Sequence, residues 1–371
     1  MLAGARNYAV DVLNSGSVSN VTALTVVQAI TVGNAPVGVA VDTDRDLAVV
    51  TNSGSGTVSL VALTASTPVG INQTPAGAVG TIGAPLSVGT TPLGVAVLPR
   101  FGLALVANNG SNNASLVDVT QTYVPQTSSI CAGGGSCTGP TAVAINPDTA
   151  GAIVTNAGIL NDTAAPSSIS IGVISPAATS TAPSFVASSI TSNVDQNPVA
   201  VAIDPRPYPT NSAVSLAAVG TSSQTSSVEV IDLSTEIPQR ISGLQNPSGV
   251  IFDPLNQVFV IANTLNNNLI LLDPVALVQT PVRVGIDPTA LDYDYQNSTL
   301  MTSNYTSHTL SVLDYVCPPS SSGAACLNPQ VRAVLNLGGS QQFSVAMDPK
   351  LNLAVVADQT NNRVLLVPLP H

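Results

Sequence analysis

The residues able to do chemistry in this chain are few and far apart. The only histidines are His308 and His371, the only glutamates Glu229 and Glu236, and Lys350 is the one lysine. Histidine and glutamate are common acid–base groups, and these positions assemble no His/Glu constellation. No nucleophile-plus-base pattern and no glycine-rich phosphate loop emerges either. Four cysteines form two close pairs, Cys131 with Cys137 in CAGGGSC and Cys317 with Cys326 in CPPSSSGAAC. Such spacings across Gly, Pro and Ser suit short disulfide-closed loops, whereas a zinc knuckle needs a two-residue gap and, commonly, histidine partners. Two disulfides imply an oxidising compartment, hence a secreted or cell-surface protein.

Stepping from these residues to the elements that position them, the chain repeats one short module. The stretch AVVTNSGSGTVSLVAL (48–63) returns as ALVANNGSNNASLVDV (104–119), VIANTLNNNLILLD (260–273), LMTSNYTSHTLSVLD (300–314) and AVVADQTNNRVLLVPL (354–369). Seven modules begin near residues 35, 91, 139, 197, 246, 287 and 340, six of them on Pro36, Pro92, Pro140, Pro198, Pro247 and Pro288 and the seventh on Gln342. Intervals of this size belong to propellers and solenoids. Each module reads as strand a (GVAV-like), a turn around Asp, strand b (LAVVTN), a polar turn, strand c (TVSLVAL) and a variable tail holding strand d. Four antiparallel strands per repeat describe the blade of a β-propeller.

We therefore expect an all-β, seven-bladed propeller as a single domain over 1–371. Strand a alternates small residues (Gly38, Ala40) with bulky ones (Val39, Val41), so the large face of one blade can fill the small face of its neighbour. The last module stops at strand c, and TVVQAITVGNAP (25–36) looks like a strand d with no module before it. Pairing them would close the ring. The segment 7–24 resembles strands b and c, so 1–34 holds the closing strand and a possible blade remnant, and eight blades is the alternative. Strand b closes on Asn52, Asn108, Asn156, Asn263 and Asn304, with Gly220 and Asp358 in the other two modules. Because it recurs, this Asn reads as a structural turn residue, as do Asp42, Asp204, Asp253 and Asp348. The b–c and d–a loops share one rim, which insertions at 131–138 and 157–168 would decorate.

Composition narrows the partners. Hydrophobic residues make up 44% and charged ones 8%, with 28 Gly, 28 Pro and a net charge of -11. Few Glu and Lys argue against long exposed helices, and abundant Val, Ile and Thr favour strands. No basic patch is present, so nucleic acid is not an expected partner. No apolar run reaches the length of a membrane span. The start, MLAGARNYAV, lacks the apolar centre of a signal peptide, so the chain is either cytosolic or has lost a leader.

At LAVVTNSGSGTVSLVAL (47–63), with TPLGVAV and ITVGNAP as flanks, the chain resembles the YVTN/NHL-type β-propeller repeat family. The resemblance implies the fold over nearly the whole chain and leaves function open, since that family includes surface-layer and extracellular binding proteins as well as lactonases and lyases. A lactonase-type calcium site would need converging carboxylates and amides. Asp292, in ALDYDY (290–295), stands where other modules carry a small or apolar residue. A carboxylate in a packed inner strand is costly unless bonded or coordinated, so Asp292 with Asn304 is the candidate metal site; no cofactor is expected unless Ca binds there. Quinone-cofactor propellers rely on repeated tryptophans, and this chain has none. The expected role is a binding or structural scaffold for a protein, a glycan or copies of itself at the loop rim, more a non-enzyme than an enzyme. The alternative is a lactonase- or lyase-like enzyme with a channel metal.

Overall fold

Each blade begins at a backbone constraint. The residue before the leading proline takes left-handed angles in six blades: Ala35, Thr91, Gly139, Asn197, Asn246 and Asp287, with φ between 50° and 60°. Residues before proline are otherwise driven to extended backbone, and non-glycine residues at positive φ are uncommon. The turn is held because the carbonyl of this residue accepts an N–H from the b–c turn of the same blade. Ser53 N donates to Ala35 O at 2.9 Å, and Asn109, Ala157, Ser222, Thr264, Tyr305 and Gln359 do likewise in the other six blades at 2.8–3.4 Å. The d–a and b–c loops are thereby tied together on one rim.

The structure, a computed structural model, describes residues 24–69, 74–122, 124–131, 137–158, 166–176, 182–191, 194–205, 216–222, 226–315, 329–339 and 341–369. Cys317, Cys326, His371 and the 7–23 part of the suspected blade remnant lie outside the described residues. Blade 1 comprises strands a Pro36–Asp42, b Leu47–Asn52 and c Thr57–Ala62, with a broken outer edge of Gly80–Thr81 and Leu86–Ser87. Blades 2 to 6 start with strands a at Pro92–Leu98, Pro140–Ile145, Pro198–Asp204, Pro247–Asp253 and Pro288–Asp294. Blade 7 runs Gln342–Asp348, Leu353–Asp358 and Arg363–Pro368, and its fourth strand is Gln28–Thr31 from the other end of the chain. Gln28 pairs antiparallel with Leu366 and Thr31 with Arg363, so the ring closes on seven blades as the termini lead one to expect. Among the described residues there is no α-helix, only three-residue 3₁₀ turns such as Pro99–Phe101, and no helix is long and apolar enough to cross a membrane.

Packing follows from strand a. Among the described residues there are seven apolar clusters, each shared by two neighbouring blades; Leu47, Val49, Leu60, Ala104 and Val106, for example, join blades 1 and 2. The small face of strand a lies against the next blade at backbone distance. A Cβ on Gly38 would stand 2.3 Å from Leu93 O, and one on Gly94 2.7 Å from Ala142 Cα. Bulky Val39 faces the other way, into the cluster with blade 7. Thr51 Oγ1 accepts from Gly38 N at 2.8 Å and donates to Leu93 O at 2.7 Å, clasping blade 1 to blade 2. The detour shifts the a–b register after Pro36, and the same irregularity recurs in every blade.

The opposite rim carries the a–b turns. Asp42 Oδ1 accepts from Asp44 N at 3.0 Å and Arg45 N at 3.2 Å, and Asp253, Asp294 and Asp348 close their turns in the same way. These aspartates are turn residues, as their recurrence suggests. The scarce cations stitch neighbouring turns together: Arg45 Nη1 donates to Pro99 O and Arg100 Nη1 to Asp148 O, both at 2.6 Å, and Lys350 Nζ donates to Thr43 O.

Two substitutions test this frame. Gly38→Ala must push the strands of blades 1 and 2 apart and is expected to lower unfolding free energy by about 1–3 kcal/mol, read from denaturant titration. Thr91→Gly removes a β-branched residue from left-handed backbone, where blade 3 already has Gly139, and is expected to stabilise by up to about 1 kcal/mol.

Candidate functional site

Under the loop rim, each blade has a polar slot between the ends of strands b and c. In blade 1, Asn52 Nδ2 donates to Thr57 Oγ1 at 3.1 Å and to Ser59 Oγ at 3.0 Å. Asn108 reaches Asn113 Oδ1 and Ser115 Oγ, Asn156 reaches Ser168 and Ser170 Oγ, and Asn304 reaches Thr309 Oγ1 and Ser311 Oγ, all at 2.8–3.1 Å. Asn263 in blade 5 bonds Asn268 Oδ1 at 2.8 Å and accepts from Gln245 N at 2.6 Å. A d–a loop residue roofs the slot: Gly33, Gly89 and Gly285 lie so close to their asparagines that an added Cβ would meet the amide at 2.5–2.7 Å. In blade 3 the roof is Cys137, joined to Cys131 with Cα atoms 5.7 Å apart; Ser170 Oγ lies 3.8 Å from its sulfur. This disulfide is the one expected from the six-residue spacing.

Blade 4 departs from the pattern and corrects the alignment. Pro198 pairs with Thr221 just as Pro36 pairs with Asn52, so the residue closing strand b is Thr221 rather than Gly220. Gly220 stands one position earlier, where a Cβ would come 2.8 Å from Pro247 O of the next blade. The small residue that close blade packing demands shifted the reading by one.

In this slot Glu229 replaces the serine and Asp195 the roof glycine. Glu229, on strand c Ser227–Asp232, is 3% exposed. Its Oε1 accepts Asp195 N at 2.8 Å, and Oε2 has no protein partner. Asp195 Oδ2 takes Ser227 Oγ at 2.6 Å and the Arg240 guanidinium at 2.7 Å. Arg240 stands directly opposite Glu229 on strand d. Burial is the main cause that pushes Glu229 up to about 7; the Asp195 charge adds to it, while the Asp195 N–H and Arg240 oppose it. No motif reveals this cluster. Its only trace in the sequence is Glu229 in the place of Ser59, Ser115, Ser170 and Ser311, visible once the blades are aligned strand by strand.

Asp292 sits on strand a of blade 6. Its Oδ1 accepts Tyr293 N at 2.8 Å, and its Oδ2 accepts Met347 N of blade 7 at 2.6 Å. Burial drives it up to about 6, partly offset by those two N–H donors and reinforced by Asp294. Asn304 does not share its surroundings. Asp292 pairs with Met301, three residues along strand b from Asn304, or roughly 10 Å. Among the described residues no group of three or more His, Cys, Asp or Glu side chains converges. His308 is far from either glutamate in sequence and holds the left-handed position of its b–c turn (φ 53°), where blade 1 has Gly56.

No protein-family model matches this sequence, and no curated protein is similar to it in sequence. Among solved structures the chain is similar to hydrazine synthase of Kuenenia stuttgartiensis, with a TM-score of 0.66 and 17% identity over 90% of this chain and 96% of that one. At that identity the likeness is one of fold: the chain is a β-propeller.

All resolved carboxyl shifts, at Asp42, Glu229, Asp292 and Asp348, are upward. A folded-state pKa raised in this way adds stability that is full below the unfolded value and is lost as pH rises through the folded one. For Glu229 the window runs from its ordinary 4.5 to about 7. The stability at stake is at most about 3 kcal/mol. The unfolding midpoint is therefore expected to fall between pH 4.5 and 7, and Glu229→Gln to flatten that part of the profile.

Proposed function

We propose that this chain is an extracellular or cell-surface propeller that acts as a rigid scaffold, holding a protein, a glycan or copies of itself against the rim of b–c and d–a loops. The observation that carries the reading is where the repeats differ. Recurrent polar residues such as Asn52, Asn108, Asn156 and Asn304 are engaged within their own blades. The rim is where sequence departs from the module, at the Cys131–Cys137 bridge, while 159–165 of the 157–168 insertion lie outside the described residues. Loops carried on a rigid scaffold are the usual place for recognition. The disulfide supports an oxidising compartment. As part of this reading we assign the repeat to the YVTN/NHL type, on the strength of LAVVTNSGSGTVSLVAL and its recurrences.

One observation favours a second reading, an enzyme of the lactonase or lyase kind with a channel metal: Asp292 is a carboxylate on an innermost strand. Both of its oxygens already accept backbone N–H groups, which weighs toward a clasp between blades 6 and 7.

Two measurements separate these readings. Thiol titration of the unfolded, unreduced protein is expected to find no reactive thiol; four would overturn the extracellular placement. Elemental analysis of purified protein is expected to find no stoichiometric metal, and Asp292→Ala to lower stability alone. Bound calcium that disappears in Asp292→Ala together with lactone turnover would establish the enzyme instead.

A further inference from the structure

The Glu229 cluster is placed to respond to protons. The loop 194–197 that roofs it is a junction of three blades on the rim. Asn197 N donates to Ser167 Oγ of blade 3 at 3.0 Å, Asn197 Nδ2 donates to Ser222 O at 3.0 Å, and Ser222 Oγ donates to Asn246 Oδ1 of blade 5. Beneath the loop, Glu229 shares its face of strand c with the apolar seam between blades 3 and 4, beside Ile169, Val194 and Val219. The charged groups around it are Asp195 from the loop and Arg240 from strand d. The blade 3 strands packed against it contain no titratable side chain. Glu236, across the c–d turn, accepts Ser189 Oγ at 2.6 Å.

This arrangement holds one guanidinium for two carboxylates. With Glu229 neutral, the group sums to zero: Asp195 and Arg240 cancel, and the Glu229 carboxyl needs no counter-ion. With Glu229 ionised, a second negative charge enters an apolar seam where, among the described residues, Arg240 is the one cation acting on it. Arg240 faces Glu229 across the strand pair, within reach of a long side chain, and its own side chain is 46% exposed and able to move. Any shift of Arg240 toward Glu229 weakens its pairing with Asp195, which is one of the bonds that fasten the loop.

We propose that Glu229 is a proton-operated latch: neutral, it leaves Asp195 and Arg240 paired and the 194–197 loop docked; ionised, it draws Arg240 away and loosens that loop. The burial that raises Glu229 sets the change near neutral pH. The latch needs no partner. A partner seated on this part of the rim would bind more tightly below neutrality than above it.

Amide hydrogen–deuterium exchange on the full chain at pH 6 and pH 8, corrected for the chemical effect of pH, tests this directly. Amides of 194–197 are expected to lose protection several-fold at the higher pH, with no matching loss at the equivalent blade 1 loop, 32–35. Glu229→Gln is expected to abolish the difference. The double variant Asp195→Gly with Glu229→Ser gives blade 4 the roof and strand c residues of blades 1, 2 and 6, and should be pH-independent even if the single variant folds poorly. Equal loss of protection at both loops, or a pH response that survives in either variant, would overturn the latch.

Discussion

Everything in this molecule depends on how closely the inner strands of adjacent blades approach. Gly38 faces Leu93 O, Gly94 faces Ala142 Cα and Gly249 faces Thr289 O, each at a distance that leaves no room for a methyl group. With one face of strand a reduced to backbone, the neighbour's bulky face can lie flat on it. Each of the seven apolar clusters is then shared by two blades rather than belonging to one. No blade therefore has a complete core of its own, and the ring is the smallest unit that buries its apolar surface.

This explains why the fold was so legible and the site so little. Small–large alternation in strand a, the leading proline of six blades and the Asn ending strand b in five recur because the same backbone geometry returns blade after blade. Repetition turned a weak local signal into a strong one. The polar slot is set by three residues distant in sequence, such as Gly33, Asn52 and Ser59, so its roof shows up only when strands are superposed. At Glu229 the sequence offered one letter. What makes it notable, the Asp195 N–H and the Arg240 opposite, comes from loop and strand positions that no period links. Asp292 was the converse case: its oddity was plain in the sequence, while its two backbone donors, one from the next blade, were not.

The charge economy of the chain acquires a physical reason in the same way. With 9 basic residues against 20 acidic ones, cations are scarce, and three of them are spent on backbone carbonyls that join one turn to the next. The acidic excess is largely Asp folded into its own turns. Net charge here reflects turn chemistry repeated around the ring more than a surface shaped for a charged partner.

The seam at which Gln28–Thr31 completes blade 7 carries a temporal consequence. Ala35 N bonds Asn362 Oδ1, 327 residues away, so contacts that shut the ring join a strand made first to strands made last. During synthesis the closing strand must wait, unpaired, through six blades, and every partial ring presents an uncovered apolar blade face at each end to other chains. Closure is thus a late, long-range event whose loop entropy is met only when the final hairpin emerges. Until that hairpin pairs with Gln28–Thr31, the ring is an open arc that other arcs could invade.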